Sequence, residues 1–375
     1  MIVMFQTNFA MLFAFYVSYS WFTAISKSVL PTHLLNQNLN LQQMIFGMFL
    51  GFIGQLLLLL AVKNLTSKLS WRLALICNAL YVLLVVSVQN NFQFYLASFI
   101  NGMVLFFFFV FYNIAHFKNT AQDKIGHSSA LMFVIPSVVG IIATFLAGYF
   151  AQLNITILWI LSLLSFITPF YLINLQTDFK ISFNVKASLK EIGATRVFLF
   201  LEGVWEALPF AIIPIYTLYF IKTPLTYGAF LSYLGIVSVV ANLTLGRLSD
   251  RLQKRIIFLY PLTIVMAVTS LLFTQVRSDL QTWIIVVSII QFLLPLFWSV
   301  STAMVIDTHS NLELAIPGRE LTLTIGRSLG VLIVFLSFLI EKTPFYIFVF
   351  LSIVLFLYPI MLFRNTKISK KYSYL

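Results

Sequence analysis

Acidic residues are scarce in this chain: 11 Asp and Glu stand against 23 Lys and Arg in 375 residues, and charged residues of both signs make up 9%. With 61% hydrophobic residues and a mean hydropathy of +0.98, so few charges cannot cover a water-soluble fold of this length. Cysteine is all but missing. The single Cys77 lies within an apolar segment, which excludes a disulfide framework and a thiolate metal site and leaves a small packing residue. The sequence contains no phosphate-cradling glycine loop, metal-ligand cluster or nucleophile elbow. An ATP-driven pump and an intramembrane enzyme therefore lack support, and no cofactor is implied.

Long apolar runs fill the chain instead. A helix crossing about 30 Å of hydrocarbon needs roughly 20 residues. Cutting at charged or Asn/Pro-rich breaks gives twelve such pieces, near 9–34, 41–62, 72–89, 92–116, 128–151, 154–175, 197–221, 225–246, 256–276, 280–306, 322–340 and 344–363. The fold class is therefore all-α, a polytopic membrane protein of about 12 transmembrane helices. The first piece is too long for the apolar region of a cleaved signal peptide and is expected to remain as the first span. The run Phe106 to Phe109 goes around a whole helix, so it is expected to pack or to face lipid and marks no aromatic site.

The cations alternate. Nineteen of the 23 fall in every second connection, and only Lys27, Lys222, Arg277 and Lys342 fall in the others. Short cytoplasmic loops retain positive charge, so the pattern predicts a plasma-membrane protein with both termini cytoplasmic and membrane lipid as a partner. The net charge of +12 is read as topology and attraction to anionic headgroups, with no nucleic acid as partner.

The longest polar connection carries Asp178, Lys180, Lys186, Lys190 and Glu191 and divides the spans six and six. The expected domains are an N-terminal six-helix bundle at 1–175, a cytoplasmic linker at 176–196, a C-terminal six-helix bundle at 197–363 and a basic cytoplasmic tail at 364–375. The halves look like repeats. An offset of about 182 brings Pro31 to within a residue of Pro214, and an offset of 190 pairs Asn101 with Gln291, Phe108 with Trp298, Tyr112 with Thr302 and Gly140 with Gly330. Duplicated helical units with substrate between the copies are a common transporter plan.

One motif is specific. At the end of the eighth span the chain reads Gly246-Arg247-Leu248-Ser249-Asp250-Arg251-Leu252-Gln253-Lys254-Arg255. This resembles the cytoplasmic loop signature of the major facilitator superfamily, G-x-x-x-D-R/K-x-x-R/K-R/K, and with twelve spans and a central linker the resemblance covers essentially the whole chain. It implies two pseudo-symmetric six-helix bundles, a monomer, and a cytoplasmic gate formed by Gly246, Arg247, Asp250, Arg251 and Arg255. A carboxylate in such a place is stabilised by the positive end of a helix and a nearby cation. The first-half loop from Asn64 to Arg72 lacks both the glycine and the acid, so the latch is expected to rest mainly on Asp250. The fifth span holds Pro136 and Gly140 but not the glycine-rich run that resembles drug exporters, which weakens a drug-antiporter assignment.

Ionisable groups inside spans are costly and tend to face a partner or an aqueous cavity. Glu202 and Glu206 lie one turn apart on the seventh span, on a face continued by Pro209, Ile213 and Tyr216, and the two prolines, Pro209 and Pro214, permit a bend or local unwinding. The resemblance implies that the first, fourth, seventh and tenth helices line the cavity, which makes the two carboxylates proton-coupling candidates. Arg327 enters the eleventh span from the cytoplasmic side, joins the gate candidates, and is expected within reach of a buried bridge to Glu202. Arg319 and Glu320 are expected at the interface, where a helix starts. Further cavity candidates are Tyr19, Thr23 and Ser26 on the first span, Asn101, Phe108 and Tyr112 on the fourth, Tyr216 on the seventh, and Gln291, Trp298 and Thr302 on the tenth. Amides and hydroxyls between aromatic walls suit a neutral or amphipathic ligand better than a polyanion. Lys27 is expected to snorkel to the interface and His116 to sit at the inner end of the fourth span.

The resemblance implies a secondary active transporter that moves a small organic solute by alternating access with proton coupling. Its partners would be a small-molecule substrate and protons. Two alternatives stay open: a non-transporting receptor or assembly partner whose cavity is plugged by aromatic residues, and a lipid translocase.

Overall fold

The computed structural model describes residues 7–120, 125–252, 255–276, 279–309, 311–340 and 345–364, with side chains over 9–120, 128–244, 257–276, 279–309, 311–340 and 345–364. Among these, twelve helices are long and apolar enough to cross a membrane: Phe9–Asn36, Leu41–Ala61, Ser67–Val86, Asn91–Lys118, Ser128–Leu153, Ile155–Asn174, Arg196–Tyr219, Pro224–Thr244, Ile257–Gln275, Leu280–Thr308, Leu312–Ile340 and Phe345–Arg364. The largest departure from the sequence expectation is the eleventh span, which starts at Leu312 and takes Arg319 and Glu320 into its interior. Both are buried, at 7% and 4% exposure, because they pair with each other and with the seventh span. Charges that neutralise one another across helices cannot be told from interfacial charges by hydropathy alone.

The spans pack as two copies of one pattern. In the first half the first span packs on the fifth and sixth, the second on the fourth, and the third on the fourth and sixth. In the second half the seventh packs on the eleventh and twelfth, the eighth on the tenth, and the ninth on the tenth and twelfth. Adding six to each member of the first set gives the second, which is the pseudo-symmetry of two six-helix bundles. The seam between bundles has the same twofold relation, since the fifth span packs on the eighth and the second on the eleventh. At the end away from the linker, Gly148 faces Gly228 so closely that a Cβ on Gly148 would lie 2.6 Å from the carbonyl oxygen of Pro224 and 3.1 Å from the Cα of Gly228. Small residues let helix backbones approach in this way where lipid supplies no hydrophobic drive.

The linker is more ordered than a polar connection suggests. Strand β1 (Asn64–Thr66) pairs antiparallel with β2 (Lys180–Ser182), Leu65 opposite Ile181, and the amide of Phe183 extends the pairing to the carbonyl of Lys63 at 2.6 Å. A short helix, Val185–Glu191, then packs on the eleventh span, where Gly318 lies against the Ser188 backbone. Asp178 caps the start of the third span by accepting from the Ser67 hydroxyl at 2.9 Å and the Lys68 amide at 3.0 Å. Burial pushes the Asp178 carboxyl up, but those two bonds and the Lys68 ammonium hold it below the ordinary carboxylate value. The acid missing from the first-half loop is thus supplied from the linker.

Candidate functional site

A chain of five charged side chains runs through the middle of the second bundle. The seventh span contributes Glu202 and Glu206, and the eleventh contributes Arg319, Glu320 and Arg327. Arg327 Nε donates to Glu206 Oε2 at 2.6 Å, and its Nη1 lies 3.7 Å from Glu320 Oε2. Arg319 Nη1 donates to Glu320 Oε1 at 2.5 Å, and its Nη2 lies 3.9 Å from Glu202 Oε1. The tenth span closes the other side: Trp298 Nε1 donates to Glu206 Oε1 at 2.6 Å, Ser301 donates to Glu202 Oε2, and Thr302 accepts from Arg319 Nη2 at 3.1 Å.

Local backbone explains how the partners reach one another. Gly203 and Gly326 face each other at the crossing of the seventh and eleventh spans, and a Cβ on Gly326 would lie 2.9 Å from the Val204 nitrogen. This approach sets Arg327 directly beside Glu206. Immediately after Glu206 the seventh span widens into a π-helical turn over Leu208–Ile212, where Pro209 has no N–H to give. The Phe210 ring from that turn lies 5.2 Å from the Arg327 guanidinium and stacks on Trp298, with ring centroids 5.8 Å apart.

Three carboxylates against two guanidiniums leave a formal charge of −1, so one proton neutralises the chain of charges. Compensation is uneven. Glu206 has a short guanidinium contact and an indole donor on its two oxygens, whereas Glu202 has only Arg319 at 3.9 Å on Oε1, an atom without a hydrogen-bond partner in the protein. Glu202 is thus the least compensated carboxylate of the network.

The expected Glu202 to Arg327 bridge is therefore shifted by one helical turn: Arg327 pairs with Glu206, and Glu202 faces Arg319 instead. The pairing also puts Arg327 in the body of the second bundle, at a distance in sequence from the gate segment. The backbone of Gly246, Arg247, Asp250 and Arg251 continues the eighth-span helix to Leu252 and Arg255 begins the next, but their side chains lie outside the described residues. Trp298 and Thr302 join the charge network. Gln291 instead donates to Ser238 at 2.5 Å on the eighth span, and Tyr216 packs on Trp283, with ring centroids 5.1 Å apart. Sequence reasoning missed Ser301, Arg319 and Glu320. The spacing of Glu320 and Arg327, seven residues on one helical face, was the available signal.

The first bundle fills the equivalent position with rings. Tyr19 stacks on Phe108 with centroids 3.4 Å apart, Phe108 on Tyr112 at 5.5 Å, and Tyr112 on Tyr16 at 4.2 Å. The fourth span widens into a π-helical turn here, over Phe106–Val110. Thr23 and Ser26 donate to carbonyls of their own helix, at 3.1 Å and 2.7 Å. His116 is buried rather than interfacial, held by Ser128 Oγ at 2.6 Å where the fourth span meets the fifth. Lys27 does not snorkel. Its ammonium turns inward to Asn101 Oδ1 at 2.5 Å.

Both ends of the seam are bridged. Lys118 pairs with Glu313 at the linker end, and Gln42 Nε2 donates to the Phe338 carbonyl at 2.8 Å at the other. At the middle of the seam Phe133 packs on Trp298, 5.7 Å between centroids.

No protein-family model matches this sequence, and no curated protein sequence matches it. Solved structures do match in fold. A bacterial homologue of the iron transporter ferroportin, in its outward-facing state, aligns with TM-score 0.68 at 15% identity, over 96% of this chain and 100% of the other. A bacterial metal transporter aligns with TM-score 0.62 at 12% identity, over 97% and 100%. The human organic anion transporter MFSD10 (TETRAN) aligns with TM-score 0.65 at 12% identity, over 95% and 97%. The chain shares the fold of these three transporters over 95–97% of its length.

Proposed function

We propose that this protein is a secondary transporter that carries a small organic solute across a membrane by alternating access, coupled to a proton bound in the second bundle. The observation that carries the reading is the buried chain Glu202, Arg319, Glu320, Arg327 and Glu206 with its formal charge of −1. In this reading Glu202, the less compensated carboxylate, takes the proton, while Glu206 stays paired with Arg327. A proton arriving on Glu202 weakens its attraction to Arg319, which leaves Arg319 held by Glu320 and Thr302 on the eleventh and tenth spans and loosens the seventh span against the eleventh. The π-helical turn after Glu206 gives the seventh span a place to absorb that shift.

Support for transport comes from the fold, shared with three transporters. Among the described residues no group of three His, Cys, Asp or Glu is placed to hold a metal ion. The solute proposed here is organic, as for MFSD10. Asp250 and Arg251 remain the proposed gate between bundles, acting as a monomer in the plasma membrane with both termini cytoplasmic.

Proteoliposomes with an internal pH dye test this reading. A solute that drives proton movement in the parent and not in Glu202→Gln supports it, provided the variant still exchanges solute without a gradient. Solute flux that is equally fast with and without a pH gradient, in parent and variant alike, removes the coupling. The second reading, a non-transporting partner, draws on the stacked Tyr19, Phe108, Tyr112 and Tyr16 that fill the first bundle. It gains if no solute moves at all.

A further inference from the structure

We infer that Lys27, with Asn101 and Tyr81, forms a binding site in the first bundle for the anionic group of a monoanionic, aromatic or amphipathic solute. The inference deepens the transport reading by naming a substrate class. Lys27 lies toward the end of the first span away from the linker, with its ammonium 2.5 Å from Asn101 Oδ1 on the fourth span and 5.2 Å from the centre of the Tyr81 ring on the third. Three helices thus converge on one cation inside a bundle.

Among the described residues that cation has no internal counterion. None of the six spans of the first half contains an Asp or Glu, and among the described residues no carboxylate pairs with Lys27. An ammonium has three donors, and the Asn101 carbonyl takes one. An ammonium turned into a membrane bundle without an anion is costly, and a tyrosine face offsets only part of that cost. One turn before Tyr81, Asn78 is fully buried and both of its amide atoms lack hydrogen-bond partners in the protein, which adds an unspent N–H donor to the same helix face. A carboxylate accepts from ammonium and amide together. The Tyr81 ring beside the ammonium suits an aromatic body behind the carboxylate. The single positive charge here and the formal −1 of the second bundle would leave a protein that binds one anion and one proton with no change of net charge.

Full-length protein in phosphatidylcholine nanodiscs tests the inference by thermal unfolding with benzoate, uncharged benzamide or chloride. Benzoate is expected to stabilise the parent and Lys27→Arg, benzamide to have no such effect, and Lys27→Gln to lose about tenfold in apparent benzoate affinity, which is about 1.4 kcal/mol. Cys77, the only cysteine, lies one helical turn before Tyr81 on the third span and supplies a second readout. Benzoate, and not benzamide, is expected to slow its alkylation by N-ethylmaleimide. An equal benzoate response in Lys27→Gln, or no benzoate response in the parent, overturns the site. If Lys27→Gln does not fold, Cys77 protection in the parent decides, and an unchanged alkylation rate overturns the site. Phosphatidylglycerol nanodiscs separate the sources of the anion: a benzoate response they abolish assigns the site to a lipid headgroup and overturns the solute. Binding needs no gradient, so it stands or falls apart from transport. Anion flux insensitive to Lys27 would keep the transporter and remove the site, while Lys27-dependent binding without flux would do the reverse.

Discussion

Glu206 Oε2 lies 2.6 Å from Arg327 Nε across the crossing of the seventh and eleventh spans, and the two residues are 1% and 12% exposed. A pair so enclosed is stabilising only while both members are present, because each alone would be an uncompensated charge in a low-dielectric interior. Replacing Arg327 by Met is expected to destabilise the protein by about 3–5 kcal/mol. Adding Glu206→Gln to Arg327→Met should recover more than half of the lost thermal stability. Unfolding temperatures of the parent, both single variants and the double variant check this, and additive losses would sink it.

Glu320 sits between two guanidiniums, 2.5 Å from Arg319 and 3.7 Å from Arg327. Glu320→Gln makes the network formally neutral with no proton bound. Solute-driven proton movement is then expected to fall at least about tenfold, while equilibrium exchange of solute in the absence of a gradient persists. Proton and solute fluxes measured on the same vesicles decide, and a parallel loss of both would mean that Glu320 serves only folding.

Close packing at the seam makes two glycines unequal. A Cβ on Gly140 meets nothing within 4 Å, whereas one on Gly228 would lie 2.5 Å from the Thr144 carbonyl oxygen and 2.9 Å from the Gly148 Cα. Gly140→Ala is expected to be neutral within about 0.5 kcal/mol, and Gly228→Val to cost about 1–3 kcal/mol by forcing the fifth and eighth spans apart. Unfolding temperatures of the two variants provide the comparison.

Asp178 supplies a pH dependence with a definite sign. Its folded-state carboxyl is held below the ordinary value, so its contribution is present above the unfolded-state value and is lost as pH falls through the folded one. Hydrogen-exchange protection of the Leu65 and Ile181 amides, corrected for intrinsic rates, is expected to drop between about pH 5 and about pH 3 in the parent. In Asp178→Asn it should be low at both values. Equal protection in parent and variant would place the cap outside the linker's stability.

The twelve spans and their six-plus-six grouping were legible because hydropathy and loop charge are properties of consecutive residues. The positions of Glu202 and Glu206 on one face were legible for the same reason. What each glutamate pairs with was not, since it depends on the height at which the seventh and eleventh spans cross, and Gly203 and Gly326 set that height only in three dimensions. The three-residue strands β1 and β2 are too short to carry an alternating pattern. Lys27 read as a snorkelling residue because nothing in sequence brings Asn101 and Tyr81 to it.

The linker, finally, leaves the bundles on a short leash. Pairing with β1 fixes the chain to the first bundle through Phe183, and the helix that starts at Val185 rests on the eleventh span. Only Asn184 lies between these moorings, already extended, and from Phe183 to Val185 the chain can span at most about 7 Å. The two halves can pivot at this end, but they cannot part by more than that until the strands unzip or the helix lets go. The width of any opening on this side is thus metered by three backbone rungs and a one-residue hinge, far from the residues that would hold a solute.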